Sequence, residues 1–205
     1  MRTVVYLHGK GGNAAEAEHY RPLFPGAEVI GFDYRAETPW EAKEEFPAFF
    51  DALGEGPVTL VANSIGACFA LHALSGRKLE RAYFISPVTD MERLINDMML
   101  WSGVGEEELR TRGEIPTAFG ETLSWDYLSW VRANPASWST PTSVLRGSGD
   151  SLVSADSVRD FCRKTGADLT VMEGGEHWFH TPEQMAFLDA WLSSRESDFL
   201  GISIV

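Results

Sequence analysis

The sequence is poor in cysteine, in positive charge and in long apolar runs. Two cysteines occur in 205 residues, and 17 lysines and arginines stand against 30 aspartates and glutamates, for a net charge of −13. This negative charge opposes binding to nucleic acid and to anionic membranes, because both present phosphate groups. Cys68 and Cys162 each lie in an apolar, helix-like stretch, which favours reduced core residues over a disulfide and predicts a reducing compartment.

Targeting and cofactor-binding patterns are also missing. Met1-Arg2 leads directly into the strand-like Thr3–Leu7, which is too short for the core of a signal peptide or for a membrane span. The chain contains neither H-E-x-x-H nor paired Cys/His spacings, and neither G-x-G-x-x-G nor G-x-x-x-x-G-K-[ST]. We therefore expect a cytoplasmic protein that needs no metal and no cofactor.

The length predicts one domain over residues 1–205. A chain of this size buries about 70% of its unfolded surface in a single core. The hydrophobic share of 44% is ordinary for a globular protein, and the sequence has no repeat or low-complexity tract that would indicate a linker. A folded domain without disulfide staples is the expectation.

The most informative stretch runs from Pro57 to Leu74. Its first part, Val58–Val61, is β-branched and aliphatic, as expected for a strand buried on both faces, and Ile65–Leu74 has the length and composition of a helix. Ser64 therefore lies at a sharp strand-to-helix joint. The backbone N–H of Ile65 opens the helix, so it is unpaired and available to a developing oxyanion.

This joint carries a recognisable motif. The sequence Ala62-Asn63-Ser64-Ile65-Gly66 resembles the nucleophile elbow G-x-S-x-G of the α/β-hydrolase family, with alanine in place of the first glycine. The small residues on either side of the serine suit a turn in which chain segments approach closely. The resemblance implies that Ser64 is a nucleophile.

The rest of the chain alternates between strand-like and helix-like segments, which predicts a parallel sheet with right-handed crossovers. The resemblance implies an α/β fold of three layers, a doubly wound, six-stranded, mainly parallel sheet with strand order 2-1-3-4-5-6. The predicted strands are Thr3–Leu7, Glu28–Tyr34, Val58–Val61, Arg81–Ile85, Thr142–Arg146 and Asp168–Met172. The predicted helices are Ala14–Phe24, a long one from Pro39, Ile65–Leu74, Ala155–Thr165 and Thr181–Ser194.

A helical, cap-like insert interrupts the alternation at about residues 88–141, after the fourth strand. Apolar residues from Met91 to Met99 recur at helical spacing, and a second helix is predicted around Trp125–Ala133. In the family, an insert at this point commonly caps the active site, so its large apolar side chains are candidates for a substrate pocket. They are Met98, Met99, Trp101, Trp125 and Trp130. The alternative is that they only pack the insert onto the core.

The resemblance also assigns the partners of Ser64. Asp150 follows the fifth strand and His177 the sixth, which matches the order of serine, acid and histidine in α/β-hydrolases. Asp90 is the alternative acid and His180 the alternative base. The loop beginning His8-Gly9-Lys10 corresponds to the family's second oxyanion donor, which implies that the backbone N–H of Lys10 joins that of Ile65 and that His8 orders the loop.

Together these features predict a serine hydrolase, carboxylesterase-like, acting on a small to medium apolar ester. A thioesterase, a small peptidase and a non-catalytic binding protein on the same scaffold remain as alternatives. The expected partner is a small-molecule substrate, with neither nucleic acid nor membrane. The apolar tail Phe199–Val205 leaves an edge strand, a packed extension and an oligomer contact open.

Overall fold

A computed structural model describes residues 1–201. Its strands are β1 (Thr3–Leu7), β2 (Glu28–Gly31), β3 (Val58–Asn63), β4 (Arg81–Ile85), β5 (Glu114–Pro116), β6 (Thr122–Ser124), β7 (Thr142–Gly147) and β8 (Asp168–Met172). Six of them form one sheet in the order β2-β1-β3-β4-β7-β8, and every neighbouring pair in it is parallel. The predicted fold class and strand order are confirmed.

The helices connect these strands and follow the predicted order. They are α1 (Ala17–Tyr20), α2 (Pro39–Ala52), α3 (Ile65–Ala73), α4 (Met91–Ser102), α5 (Glu106–Arg112), α6 (Trp125–Ala133), α7 (Ala155–Thr165) and α8 (Pro182–Leu200). Local chemistry fixes several ends. For example, Thr38 and Glu41 form a reciprocal capping box at the start of α2, and Gly166 ends α7 in the left-handed conformation. None of the described helices combines the length and apolar character needed to cross a membrane.

Alternate residues of each strand supply two faces of the core. Tyr6, Val61 and Tyr83 belong to one buried cluster with Trp191 of α8 and with α1. Their strand neighbours point the other way, so that Phe84 lies 6.1 Å, ring to ring, from Phe161 of α7. The central strands are buried along almost their whole length, as a sheet covered on both faces requires.

The described chain divides into two compact units. One contains Met1–Thr89 and the chain from Ser137 onward, and the other is Asp90–Ala136. The smaller unit holds the two predicted insert helices, α4 and α6, and also α5 and the β5–β6 hairpin, which were not predicted. Arg132 joins three of its segments, because its guanidinium donates to Glu92 at 2.7 Å and to Glu106 at 2.8 Å.

Two predicted elements near the N-terminus are wrong in extent. The segment from Ala14 to Phe24 is not one helix: α1 spans four residues between short 3-10 turns. Pro22 lies at the start of the second turn, where its ring and missing N–H prevent α1 from continuing. Strand β2 ends at Gly31 instead of Tyr34, because it is an edge strand whose last partner in β1 is Tyr6.

The last helix is longer than predicted. It continues past Ser194 to Leu200, so Phe199 and Leu200 are helical and do not belong to a separate tail. The added turns are packed: Glu196 is buried, and the guanidinium carbon of Arg81 lies 4.5 Å from the ring centre of Phe199. The remainder of the predicted tail, residues 202–205, lies outside the described residues.

Candidate active site

Ser64 occupies a strained backbone position at the joint between β3 and α3. Its φ is 50° and its ψ is −115°, a region that residues other than glycine rarely adopt. Hydrogen bonds on both sides hold this conformation, since the Ser64 N–H donates to Ile85 at 2.9 Å and the Ser64 carbonyl accepts from Val88 at 3.1 Å. The serine side chain is thereby held at the carboxyl end of the sheet.

The glycine two residues after Ser64 is required by close packing. A Cβ atom on Gly66 would lie 2.6 Å from the carbonyl oxygen of His8, which no side chain tolerates. Ala62, the residue that departs from the family motif, is fully buried and pairs with Leu7 and Phe84 in the neighbouring strands. Its methyl group is accommodated within the sheet.

A chain of hydrogen bonds links Ser64 to the two other predicted residues. The Oγ atom of Ser64 lies 2.9 Å from Nε2 of His177, and Nδ1 of His177 lies 2.8 Å from Oδ2 of Asp150. All three residues are buried, with 7 to 9% of their surface exposed. The structure therefore brings together side chains that are separated by 113 and 27 positions in the sequence.

The Asp150 carboxylate is fixed at both oxygens. Its Oδ1 accepts the backbone N–H groups of Leu152 and Val153, both at 2.9 Å, which leaves Oδ2 for His177. Burial alone would raise the pKa of this carboxyl, but the hydrogen bond and charge of His177, together with the two amides, outweigh burial and lower the pKa. Asp150 is consequently an anion at neutral pH, so the ring nitrogen facing it carries a proton.

The loops that carry Asp150 and His177 are bound to each other through glycines. The N–H of Gly149 donates to the carbonyl of Gly175 at 2.8 Å. A Cβ atom on Gly147 would lie 2.1 Å from that same carbonyl oxygen, so only glycine allows the two backbones to approach this closely. Ser148 adds a side-chain contact, accepting the N–H of Gly174 at 2.8 Å. These contacts fix the distance between acid and base.

The two alternative residues are engaged elsewhere. Asp90 caps helix α4 by accepting the N–H of Arg93 at 2.9 Å. His180 is exposed, and its Nδ1 lies 2.7 Å from the carbonyl of Trp178. In the described structure, the Ser64 hydroxyl is hydrogen-bonded to His177, and His177 is hydrogen-bonded to Asp150.

The loop after β1 lies against the serine. A Cβ atom on Gly9 would be 3.4 Å from that of Ser64. His8 stacks on Tyr34 with ring centres 4.1 Å apart, and the Tyr34 hydroxyl donates to the His8 carbonyl at 2.6 Å. The predicted loop-ordering role of His8 fits this stacking. The assignment of the Lys10 N–H as an oxyanion donor stays a prediction.

The predicted pocket residues all belong to the smaller unit. Met99 is buried, Met98, Trp125 and Trp130 are half-buried, and Trp101 is 49% exposed. The Trp101 ring lies 6.1 Å from that of Phe119 in an edge-to-face arrangement. Their placement over Ser64 remains a prediction.

Sequence reasoning missed two polar side chains that contact the site loops. The sequence predicts Tyr34 only as the end of a strand, although its hydroxyl donates to the carbonyl of His8. It predicts Arg146 as part of a buried strand, although its guanidinium donates to the backbone carbonyl of Asp150 at 3.0 Å. The sequence does contain a sign of the Arg146 contact, because a charged residue at the carboxyl end of an otherwise uncharged buried strand needs polar partners.

Comparisons with known proteins agree with this fold. No family model matches the sequence. A curated protein of Mycoplasma genitalium, "Putative esterase/lipase 3", is 27% identical over 101 residues, and the match covers 43% of this chain and 37% of that protein. The chain thus matches well under half the length of that relative.

Solved structures match over nearly the whole chain. Alpha/beta hydrolase domain-containing protein 10 from mouse superposes with a TM-score of 0.74 at 17% identity, covering 96% of this chain and 90% of that one. Est1E from Butyrivibrio proteoclasticus gives 0.77 at 12% identity, covering 98% and 88%. At such low identity the likeness establishes the fold alone: the chain has the α/β-hydrolase fold.

Proposed function

We propose that this α/β-hydrolase-fold chain is a serine hydrolase that cleaves ester-type acyl bonds through a covalent acyl-enzyme. The observation that carries the proposal is the hydrogen-bond chain from Ser64 through His177 to Asp150, with its distances of 2.9 and 2.8 Å. A nucleophile, a base and an acid that orients the base are the parts that acyl transfer requires. The curated relative named as an esterase or lipase supports the same chemistry.

In the first half of the reaction, Nε2 of His177 takes the proton of Ser64 as Oγ bonds to the carbonyl carbon of the ester. Asp150 holds the imidazole in the tautomer with Nδ1 protonated, and it stabilises the imidazolium that forms. When the tetrahedral intermediate collapses, the alcohol leaves with the proton from Nε2. Ser64 then carries the acyl group as an ester.

The tetrahedral intermediate needs donors for its oxyanion. The N–H of Ile65 is the first of helix α3 and has no acceptor within that helix, and the helix dipole adds partial positive charge there. The N–H of Lys10, on the loop that lies against Ser64, is the proposed second donor. Two such donors contribute most of their stabilisation in the transition state, where the charge develops.

In the second half, water replaces the alcohol. His177 removes a proton from the water, the hydroxide attacks the acyl carbon, and Ser64 leaves with the proton returned by Nε2. The products are a carboxylic acid and the free enzyme, and no electrons are transferred. The proposed reaction therefore uses only side chains and backbone groups of this chain and water.

Covalent labelling tests the nucleophile without knowledge of the natural substrate. A fluorophosphonate should add one phosphonyl group to the wild-type protein by displacement of fluoride, and peptide mapping should place it on Ser64. Ser86 is a matched control, because it is also buried, directly follows the adjacent strand β4 and has a positive φ of 45°. Ser86→Ala should keep the adduct, whereas Ser64→Ala should lose it.

The same experiment separates the classes of function. Absence of any adduct on folded wild-type protein, together with no hydrolysis of p-nitrophenyl acetate, would overturn the proposal in favour of a binding protein. Hydrolysis of an acyl thioester or of an aminoacyl amide with no ester turnover would keep Ser64 as the nucleophile and move the activity to thioesterase or peptidase.

Ester chain length tests the proposed substrate class. If the methionines and tryptophans of the insert hold an apolar acyl group, each added CH₂ contributes about 0.8 kcal/mol, which raises kcat/KM roughly fourfold per carbon until the pocket is full. A p-nitrophenyl series from acetate to palmitate measures this. A profile that is flat in chain length would contradict an acyl-binding role for Met98, Met99 and Trp101.

A further inference from the structure

Arg146 is a buried cation at the carboxyl end of strand β7. The residue is 7% exposed, in a strand whose six residues are all buried. One nitrogen of its guanidinium, Nη2, donates to the carbonyl of Asp150 at 3.0 Å and to that of Val153 at 3.2 Å. Both acceptors are neutral, and both belong to the loop that carries the proposed acid.

A buried cation with neutral partners is a costly arrangement. Desolvation of a guanidinium is unfavourable, and an apolar side chain of similar volume at such a site is often neutral or stabilising for the fold. The Nε atom of Arg146 adds to this cost, since it is buried without a hydrogen-bond partner among residues 1–201. A contribution to fold stability alone does not account for arginine at this position.

The geometry of the acid loop indicates what the arginine does. The N–H groups of Leu152 and Val153 turn inward to Oδ1 of Asp150, and the carbonyls of Asp150 and Val153 turn outward to Arg146. Because a single nitrogen contacts both carbonyls, it fixes the separation of the two ends of the turn. The position of this turn fixes Oδ1 of Asp150, and this directs Oδ2 of the same carboxylate toward His177.

We infer that Arg146 is a positioning residue for the proposed acid: its guanidinium clamps residues 150–153 so that Oδ2 of Asp150 meets Nδ1 of His177. The inference rests on the proposed function, because it assigns Arg146 an effect on catalysis that passes through Asp150. A displacement of about 1 Å in a catalytic group costs on the order of 10²-fold in rate. Loss of the clamp should therefore lower kcat and leave substrate binding unchanged.

A double-mutant cycle distinguishes positioning from a structural role. Arg146→Met should lower kcat by roughly 10²-fold with KM within about twofold of the wild type. In an Asp150→Asn background the same substitution should change kcat by less than about twofold, since residues that act as one unit are not additive. A general folding defect would instead lower kcat by the same factor in both backgrounds.

Two further variants serve as conservative substitution and control. Arg146→Lys keeps a donor for the carbonyls and should recover at least about tenfold of the kcat lost in Arg146→Met. If Arg146→Met does not fold, Arg146→Lys takes its place in the double-mutant cycle. Arg159→Met removes an exposed arginine that pairs with Asp156 at 3.2 Å, and kcat should stay within about twofold of the wild type.

A spectroscopic signal tests the inference independently of turnover. The His177 Nδ1 proton donated to Asp150 should give a low-field ¹H NMR resonance in the wild type, and this resonance should shift or broaden in Arg146→Met. If the wild type shows neither ester hydrolysis nor labelling of Ser64, the proposed function is refuted. The resonance can then still show whether Arg146 holds Asp150 against His177. An unshifted resonance, or equal kcat losses in both backgrounds, would overturn the inference.

Discussion

Both ends of the parallel sheet carry a buried network of polar side chains, and the two networks balance charge differently. At the carboxyl end, the single carboxylate of Asp150 is balanced by backbone amides and by His177. At the amino end, Glu196 forms an ion pair with Arg2 and accepts the hydroxyl of Tyr83 at 2.8 Å. The carboxyl-end network contains groups that can exchange a proton, and the amino-end network is built around the ion pair of Glu196 with Arg2.

This difference indicates that the amino-end network stabilises the fold, whereas the carboxyl-end network supports reactivity. The amino-end network ties the last helix to the start of β1 and to β4, and Glu80 extends it with an oxygen 3.3 Å from Nε of Arg2. Burial, followed by the charge of Glu196, raises the pKa of Tyr83, so this hydroxyl stays protonated. The carboxyl-end network instead leaves a hydroxyl facing a ring nitrogen. We expect mutations at the amino end to change stability alone, and those at the carboxyl end to change activity as well.

The largest expected effect is that of Asp150→Asn on activity. An amide in place of the carboxylate favours the wrong imidazole tautomer, so His177 cannot accept the serine proton, and kcat should fall by about 10⁴-fold. The measurement is kcat on an activated ester, with urea unfolding to verify the fold. Asp90→Asn is the control, because asparagine also caps helices well. A larger loss in Asp90→Asn than in Asp150→Asn would reverse the assignment of the acid.

Glu196→Gln should lower stability and leave activity nearly unchanged, which is the opposite of the pattern expected for Asp150→Asn. Removing one charge of a buried pair costs about 3 kcal/mol of unfolding free energy, at the low end of the usual range because Glu80 remains beside Arg2. Activity of the folded variant should stay within about twofold of the wild type, since within residues 1–201 the ion pairs and hydrogen bonds of this network go to residues other than Ser64, Asp150 and His177. Glu183→Gln, at an exposed position of the same helix, is the control for stability. A loss of kcat at unchanged stability would break the comparison between the two ends.

Much of the fold was predictable because each strand is a short apolar run and each joint has a local marker. The positions of Ser64, Asp150 and His177 followed from the same logic, since each one lies in the segment that follows a parallel strand and such strand ends lie along one edge of the sheet. The structure joins these three side chains by hydrogen bonds. Their catalytic roles remain a proposal.

What the sequence did not predict depends on contacts that no local pattern encodes. Tyr83 and Glu196 are 113 positions apart, so nothing near Ser194 indicated that α8 continues to make this contact. The strands of the β5–β6 hairpin have three residues each, too few for an alternating pattern to be recognised. Arg146 was visible as a charge in a buried strand, but its acceptors are backbone carbonyls, which the identities of the residues do not specify.

Two tyrosine variants test the same comparison between the two ends of the sheet, with smaller expected effects. Tyr83→Phe removes a hydrogen bond to a charged acceptor and should cost about 2 kcal/mol of unfolding free energy, with kcat unchanged. Tyr34→Phe removes the hydrogen bond to the neutral carbonyl of His8 and should cost about 1 kcal/mol. Because that carbonyl belongs to the loop beside Ser64, Tyr34→Phe should also lower kcat. Equal effects of the two variants on kcat would contradict the division between the ends.

The smallest expected effect is a pH dependence of stability that belongs to the carboxyl end. The pKa of Asp150 is lowered in the folded protein from a value of 3.8 for the free side chain. A lowered folded-state pKa stabilises the fold above the unfolded-state pKa, and this contribution disappears as the pH falls through the lowered value. The wild type should therefore exceed Asp150→Asn in unfolding free energy at about pH 5, just before the unfolded carboxyl begins to protonate. Below that pH the difference should shrink.

Urea unfolding of both proteins across this range measures the difference in unfolding free energy, and contributions from other carboxyl groups cancel in it. A difference that stays constant or grows as the pH falls would mean that the contacts of Asp150 with His177 and the two amides do not favour its charged form.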